Sequence, residues 1–100
     1  MRKGGTPTHT FELPTTLVDI KNVEITYAQN KQVVLRKSTS DCTVTDNQIS
    51  VTLTQEDTFR FTDGVTVEIQ LRLLDNVDHV FISNIMRVSC DRCLSDEVLE

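Results

Sequence analysis

The sequence has no tryptophan, one tyrosine and one alanine, Ala28, with three glycines and two prolines among its 100 residues. Scarcity of alanine removes the best helix former, while 14 threonines, 12 valines and 6 isoleucines supply the β-branched side chains that suit pleated strands. An all-β chain is expected. No apolar run approaches the roughly 20 residues of a membrane helix. Met1-Arg2-Lys3 is followed by Gly4-Gly5-Thr6-Pro7 instead of the apolar stretch of a signal peptide. Neither a membrane partner nor export is therefore expected. Ten basic residues against 15 acidic ones leave a net charge of −5, which offers phosphate backbones no attractive field, so nucleic acid is not an expected partner. Three cysteines cannot close a paired disulfide framework, which points to a reducing compartment, as bacterial or viral cytoplasmic synthesis would provide.

A length of 100 residues allows one domain. Residues 1–7 carry little apolar surface and are expected as a flexible arm. Residues 8–90 alternate in the manner of strands, and 91–100 form a tail. His9 to Leu13 makes a short edge strand that Pro14 ends. Val23, Ile25 and Tyr27 share one face of the next strand, and Gln29-Asn30-Lys31 turns it into Gln32 to Lys37. Cys42 to Val44 and Ile49 to Leu53 pair about an Asp46-Asn47 turn. Thr54-Gln55-Glu56-Asp57 reads as a capping box for a single helical turn between two sheets, anchored by Phe59 and Phe61.

After Asp63-Gly64, Val65, Val67, Ile69, Leu71 and Leu73 alternate with polar residues, the mark of a central strand. Asp75 to Asp78 then turns into one long strand, Val80 to Ser89. Unbroken alternation there puts Val80, Ile82, Met86 and Val88 in the core and Phe81 and Ile85 on the opposite face. About seven short strands with frequent turns predict an immunoglobulin-like two-sheet antiparallel sandwich, with a small closed barrel as the alternative.

Chemistry-bearing patterns are weak. Cys90-Asp91-Arg92-Cys93 has the spacing of a redox pair or half a zinc site, but only Cys42, His9 and His79 remain as further nitrogen or sulfur ligands. A cysteine at a core-facing strand end and another in the tail is the plainer reading. His79 beside Asp78 has no accompanying nucleophile signature, and His9 reads as an edge-strand residue. Asp63 stands a strand of about ten residues away from Asp75 and Asp78, some 30 Å at ~3.3 Å per residue, too far to share a cation. No catalytic residue, metal or cofactor is expected. In the tail, Leu94, Val98 and Leu99 follow Ser95 at helix-like spacing. A short helix there would either pack back on the domain or dock on another subunit.

Arg2-Lys3-Gly4-Gly5-Thr6-Pro7-Thr8-His9-Thr10-Phe11, Ile25-Thr26-Tyr27-Ala28-Gln29, Leu53 to Thr58, Val67-Glu68-Ile69-Gln70, and Arg87-Val88-Ser89 with Arg92-Cys93-Leu94 resemble small proteins encoded among phage and prophage structural genes of gut Firmicutes. At longer range the pattern is similar to the immunoglobulin-like N-terminal module of phage baseplate upper proteins. The resemblance implies a β-sandwich in a virion or virion-assembly setting, and no catalytic residues. The expected function is a non-enzymatic module of a tail or baseplate, with partners among other phage structural proteins or further copies of itself. Phe81, Ile85, Leu94, Val98 and Leu99 are the candidate contact residues. The second expectation is a sugar- or peptide-binding sandwich, although five aromatics with a single tyrosine make a poor stacking platform for sugars.

Overall fold

A computed structural model describes residues 1–14, 19–45 and 47–100. Among these residues eight strands, a 3-10 turn and one short α-helix follow in order: β1 Thr8–Glu12, β2 Ile20–Gln29, β3 Gln32–Ser38, the 3-10 turn Thr39–Asp41, β4 Cys42–Val44, β5 Gln48–Thr52, α1 Gln55–Phe59, β6 Val67–Asp75, β7 Val80–Ile82 and β8 Met86–Val88. The expected Asp46-Asn47 turn includes Asp46, which lies outside the described residues.

All strand pairs are antiparallel and form two sheets, β1-β5-β4 and β3-β2-β6-β7, with β8 also on β6. The chain places one strand in the first sheet, two in the second, two in the first and the rest in the second. That order matches an immunoglobulin-like sandwich with B-E-D facing C′-C-F-G, and the two separate sheets set the closed barrel aside. Core residues come from both inner faces. Phe11, Ile49 and Val51 of the small sheet meet Val23, Ile25, Tyr27, Ile69, Leu71 and Leu73 of the large one.

Local chemistry accounts for the connections. Asn30 and Lys31 both take positive φ, 52° and 65°, the backbone a two-residue hairpin requires to match strand twist. The capping box forms as expected: the Thr54 hydroxyl accepts the Asp57 N–H at 3.1 Å, and Asp57 Oδ2 accepts the Thr54 N–H at 2.9 Å. The same carboxylate pairs with Lys37 of β3 at 2.8 Å, tying α1 to the edge of the large sheet. Burial pushes the Asp57 carboxyl up, but the Lys37 and Thr54 hydrogen bonds and the Lys37 charge outweigh it and hold the group below its ordinary range. Phe61 is fully buried and packs edge-on to Tyr27 with ring centroids 5.9 Å apart, while Phe59 is half-buried against Gly4.

Residues 1–7, expected as an arm, are hydrogen-bonded to the domain. Asp91 N–H donates to the Met1 carbonyl and Lys3 N–H to the Asp91 carbonyl, at 2.7 and 3.0 Å, forming a parallel bridge with the tail. Thr58 receives Gly4 N–H and donates to the Gly5 carbonyl, both at 2.9 Å, and Leu53 N–H reaches the Pro7 carbonyl. The arm's backbone groups supply these bonds, and Met1 packs its side chain against the core.

The single strand expected over Val80 to Ser89 is two strands. On β6, Phe81 pairs with Leu73 and Ile82 with Arg72, whereas Met86 pairs with Ile69 and Val88 with Val67. Four steps from Ile82 to Met86 stand against three from Arg72 to Ile69, so one extra residue is inserted. The Ser83 hydroxyl accepts the Leu71 N–H at 2.9 Å, Ser83 N–H donates to the Leu71 carbonyl, and the Gln70 amide donates to the Ser83 carbonyl. Because side chains alternate with period two, this bulge reverses the facing of everything before it. Phe81 therefore packs on the core with Met86 and Val88, and Val80 and Ile82 face out.

Candidate functional site

β7 lies at the end of the large sheet, so one side of its backbone pairs with β6 and, among the described residues, no strand pairs with the other. Asp75 N–H donates to the His79 carbonyl and Ser83 N–H to the Leu71 carbonyl. By antiparallel alternation Phe81 also bonds toward β6, and the N–H and C=O groups of Val80 and Ile82 point away from it. Around this edge stand Val77, Val80, Ile82 and Ile85, exposed by 51, 61, 56 and 43%. Four large apolar side chains within nine residues are thus left exposed along this edge, a higher density than the singly scattered exposed apolars of an ordinary surface.

The patch adjoins a shallow groove of ≈ 550 Å³ on the outer face of the large sheet, where Val80 meets Leu74, Arg72, Glu24 and Arg36. Arg72 pairs with Glu24, directly across from it, at 3.3 Å, and Arg87 pairs with Glu68 in the same way. The outer face thus changes from ionic rows over its centre to apolar side chains at its β7 edge.

The turn before β7 is organised by Asp75, a fully buried carboxylate at the end of β6. Its Oδ1 accepts the Val77 and His79 N–H groups at 3.0 and 2.8 Å, and its Oδ2 lies 3.1 Å from His79 Nδ1. The imidazole therefore pairs with Asp75 and not with Asp78, whose own backbone takes the left-handed φ of 62° that closes the turn. A carboxylate occupied by two backbone donors is part of the turn's architecture. Sequence reading missed its burial, although the signal was there: Asp75 continues the inward series Val67, Ile69, Leu71, Leu73.

Of the expected contact residues, Phe81 is corrected from surface to core, for the bulge reason above, and Ile85 is exposed. The tail forms no helix. Ser95 accepts the Glu97 N–H, and the Gln55 side-chain amide clasps the Leu99 backbone, donating to its carbonyl at 2.9 Å and accepting its N–H at 2.8 Å. Leu94 and Leu99 are left 91 and 80% exposed, with Val98 less so. The tail thus packs back through its backbone while its apolar side chains face outward.

Cys90 lies in the core and Cys93 is half-buried, and all three cysteines are unpaired thiols. Burial pushes the Cys90 and Cys42 thiols above their ordinary range, a poor environment for a nucleophilic thiolate. Among the described residues no three His, Cys, Asp or Glu side chains gather as a metal site would require. His9 Nδ1 lies 2.8 Å from the Tyr27 hydroxyl; burial, then the amino-terminal charge, lowers the His9 pKa, and burial raises that of Tyr27. Phe11, Tyr27 and Phe61 are buried and Phe59 and Phe81 half-buried, so no aromatic side chain is presented freely to stack on a sugar. No described helix is long and apolar enough to cross a membrane. The chain matches no protein-family model, no curated protein and no solved structure.

Proposed function

We propose that this chain is a non-enzymatic assembly module that joins virion subunits of a phage tail or baseplate through the β7 edge. The observation that carries this reading is the conjunction of an open strand edge with the exposed Val77, Val80, Ile82 and Ile85. Strand edges recruit chains through backbone hydrogen bonds, and apolar neighbours add area that is released from water on contact. The virion setting comes from the resemblance of the strand motifs to phage structural proteins. Assembly would proceed in the host cytoplasm, where Cys42, Cys90 and Cys93 remain thiols.

Co-expression with the products of the genes adjacent to its own tests the reading. A tail or baseplate subunit should co-purify in fixed stoichiometry with the wild type and be lost with Val80→Lys plus Ile82→Lys. Absence of any such complex with the wild type would overturn it.

A further inference from the structure

We infer that the β7 edge is also self-complementary, and that two copies of this chain pair antiparallel about a two-fold axis at Phe81. The inference rests on the assembly reading for the role of this edge and names one occupant of it. Residues 77–85 run Val-Asp-His-Val-Phe-Ile-Ser-Asn-Ile, a sequence whose apolar positions are symmetric about Phe81. In that register Val80 stands opposite Ile82 of the second copy, and Ile82 opposite its Val80. The same axis sets His79 opposite Ser83, and the matched ladder ends there because Val77 and Asp78 belong to the turn before the strand. Within it apolar positions meet apolar ones, and no two like charges face each other.

The backbone suits the same register. Val80 and Ile82 carry the outward N–H and C=O groups, so the two Val80–Ile82 pairings are the closely bonded pairs of an antiparallel ladder and exchange four hydrogen bonds. Outer-face rows then run from Leu74 and Val80 onto Ile82 and Arg72 of the second copy. Phe81, half-buried within one chain, gains cover from its symmetric mate. The opposite edge of the sheet is less suited to such pairing: Arg60 of α1's C-cap donates to the Val34 carbonyl at 2.7 Å, and the β2–β3 register is irregular there. An edge that pairs with its own copy makes an isologous contact, which closes as a dimer instead of propagating as a filament.

A three-residue strand and its flanks bury little area, so the expected dissociation constant is on the order of 100 μM. Sedimentation of the purified chain across micromolar to millimolar concentration should show monomer passing to dimer, and Val80→Lys plus Ile82→Lys should weaken this at least tenfold. Register is tested separately in a Cys42→Ser, Cys93→Ser background. A mixture of Val80→Cys and Ile82→Cys chains, with oxidised glutathione as electron acceptor, should cross-link several-fold more than either alone, since opposed residues lie about 5.5 Å apart at Cα.

A monomer at every concentration, or equal cross-linking in all three samples, would overturn the inference. If a neighbouring-gene subunit still binds the wild type and not the Lys variant, the assembly reading survives that failure. A register-specific dimer with no such subunit bound would have the opposite meaning: self-pairing stands and the virion reading falls.

Discussion

β2 and β6 differ from β7 and β8 in how far a strand's own alternation decides which side chains are buried. β2 pairs with β6 over most of its length and both are flanked by further strands, so Val23, Ile25, Tyr27, Ile69, Leu71 and Leu73 are all buried, as their period-two spacing requires. At the β7 and β8 edge the alternation is as good on paper, yet one inserted residue reverses half of it. A central strand is held in register from both sides. An edge strand is held from one, and it can absorb a bulge without disturbing a second neighbour.

The sharpest way to break this comparison is by truncation along both regions. Ile69→Ala or Leu71→Ala should cost about 2–5 kcal/mol in denaturant melts, the usual range for buried large-to-small changes. Phe81→Ala should cost about 1.5–3 kcal/mol for its half-buried ring, while Val80→Ser and Ile82→Ser should each stay within about 0.5 kcal/mol in the dilute monomer. If Ile82→Ser proved more damaging than Phe81→Ala, the reversed facing of β7 would be wrong.

A second test sharpens the comparison at the sheet's other edge, where β3 is braced by α1. Asp57→Asn removes the charge that serves both the capping box and Lys37, and should cost about 1–2 kcal/mol. Since the folded carboxyl lies below its ordinary value, that contribution is present above pH ~4 and disappears as pH falls through the folded pKa. The wild-type advantage over Asp57→Asn should therefore vanish in acid; an advantage independent of pH would show that charge is not involved.

The smallest effect concerns His9, on the edge of the small sheet. Its pKa is lowered on folding, so the unfolded chain binds the proton first and stability declines as pH falls from ~6.5 toward the folded value, then levels off. His9→Gln should flatten this part of the stability profile, and an unchanged slope would remove His9 from the account. Titration of the imidazole by NMR would place the folded value directly.

Most of the fold was legible because turns and caps carry their own local chemistry. Asn30-Lys31 closes a hairpin, Thr54 and Asp57 form a capping box, and Pro14 follows the end of β1. Three features were not legible. Gln29 reads as a turn residue but lies buried at the end of β2, accepting the Thr62 N–H and donating to the Thr62 and Val65 carbonyls. The arm is polar, yet its backbone finds Asp91 and Thr58. The candidate surface was placed on Phe81 and Ile85 when it includes Val80 and Ile82 instead of Phe81.

By itself the sequence determined the class of each segment: its β-branched composition, its period of two and its turn residues admit an all-β chain, with both a two-sheet sandwich and a small closed barrel open. Tertiary structure alone decided which face of β7 is buried, because facing depends on the register with β6, and a single extra residue between Ile82 and Met86 inverts it. It also decided that Gln29 could be buried, since a polar side chain enters a core only where backbone groups wait to bond it, and those of Thr62 and Val65 lie more than 30 residues away. Those partners are brought together by the fold, and nothing within a strand's own residues announces them.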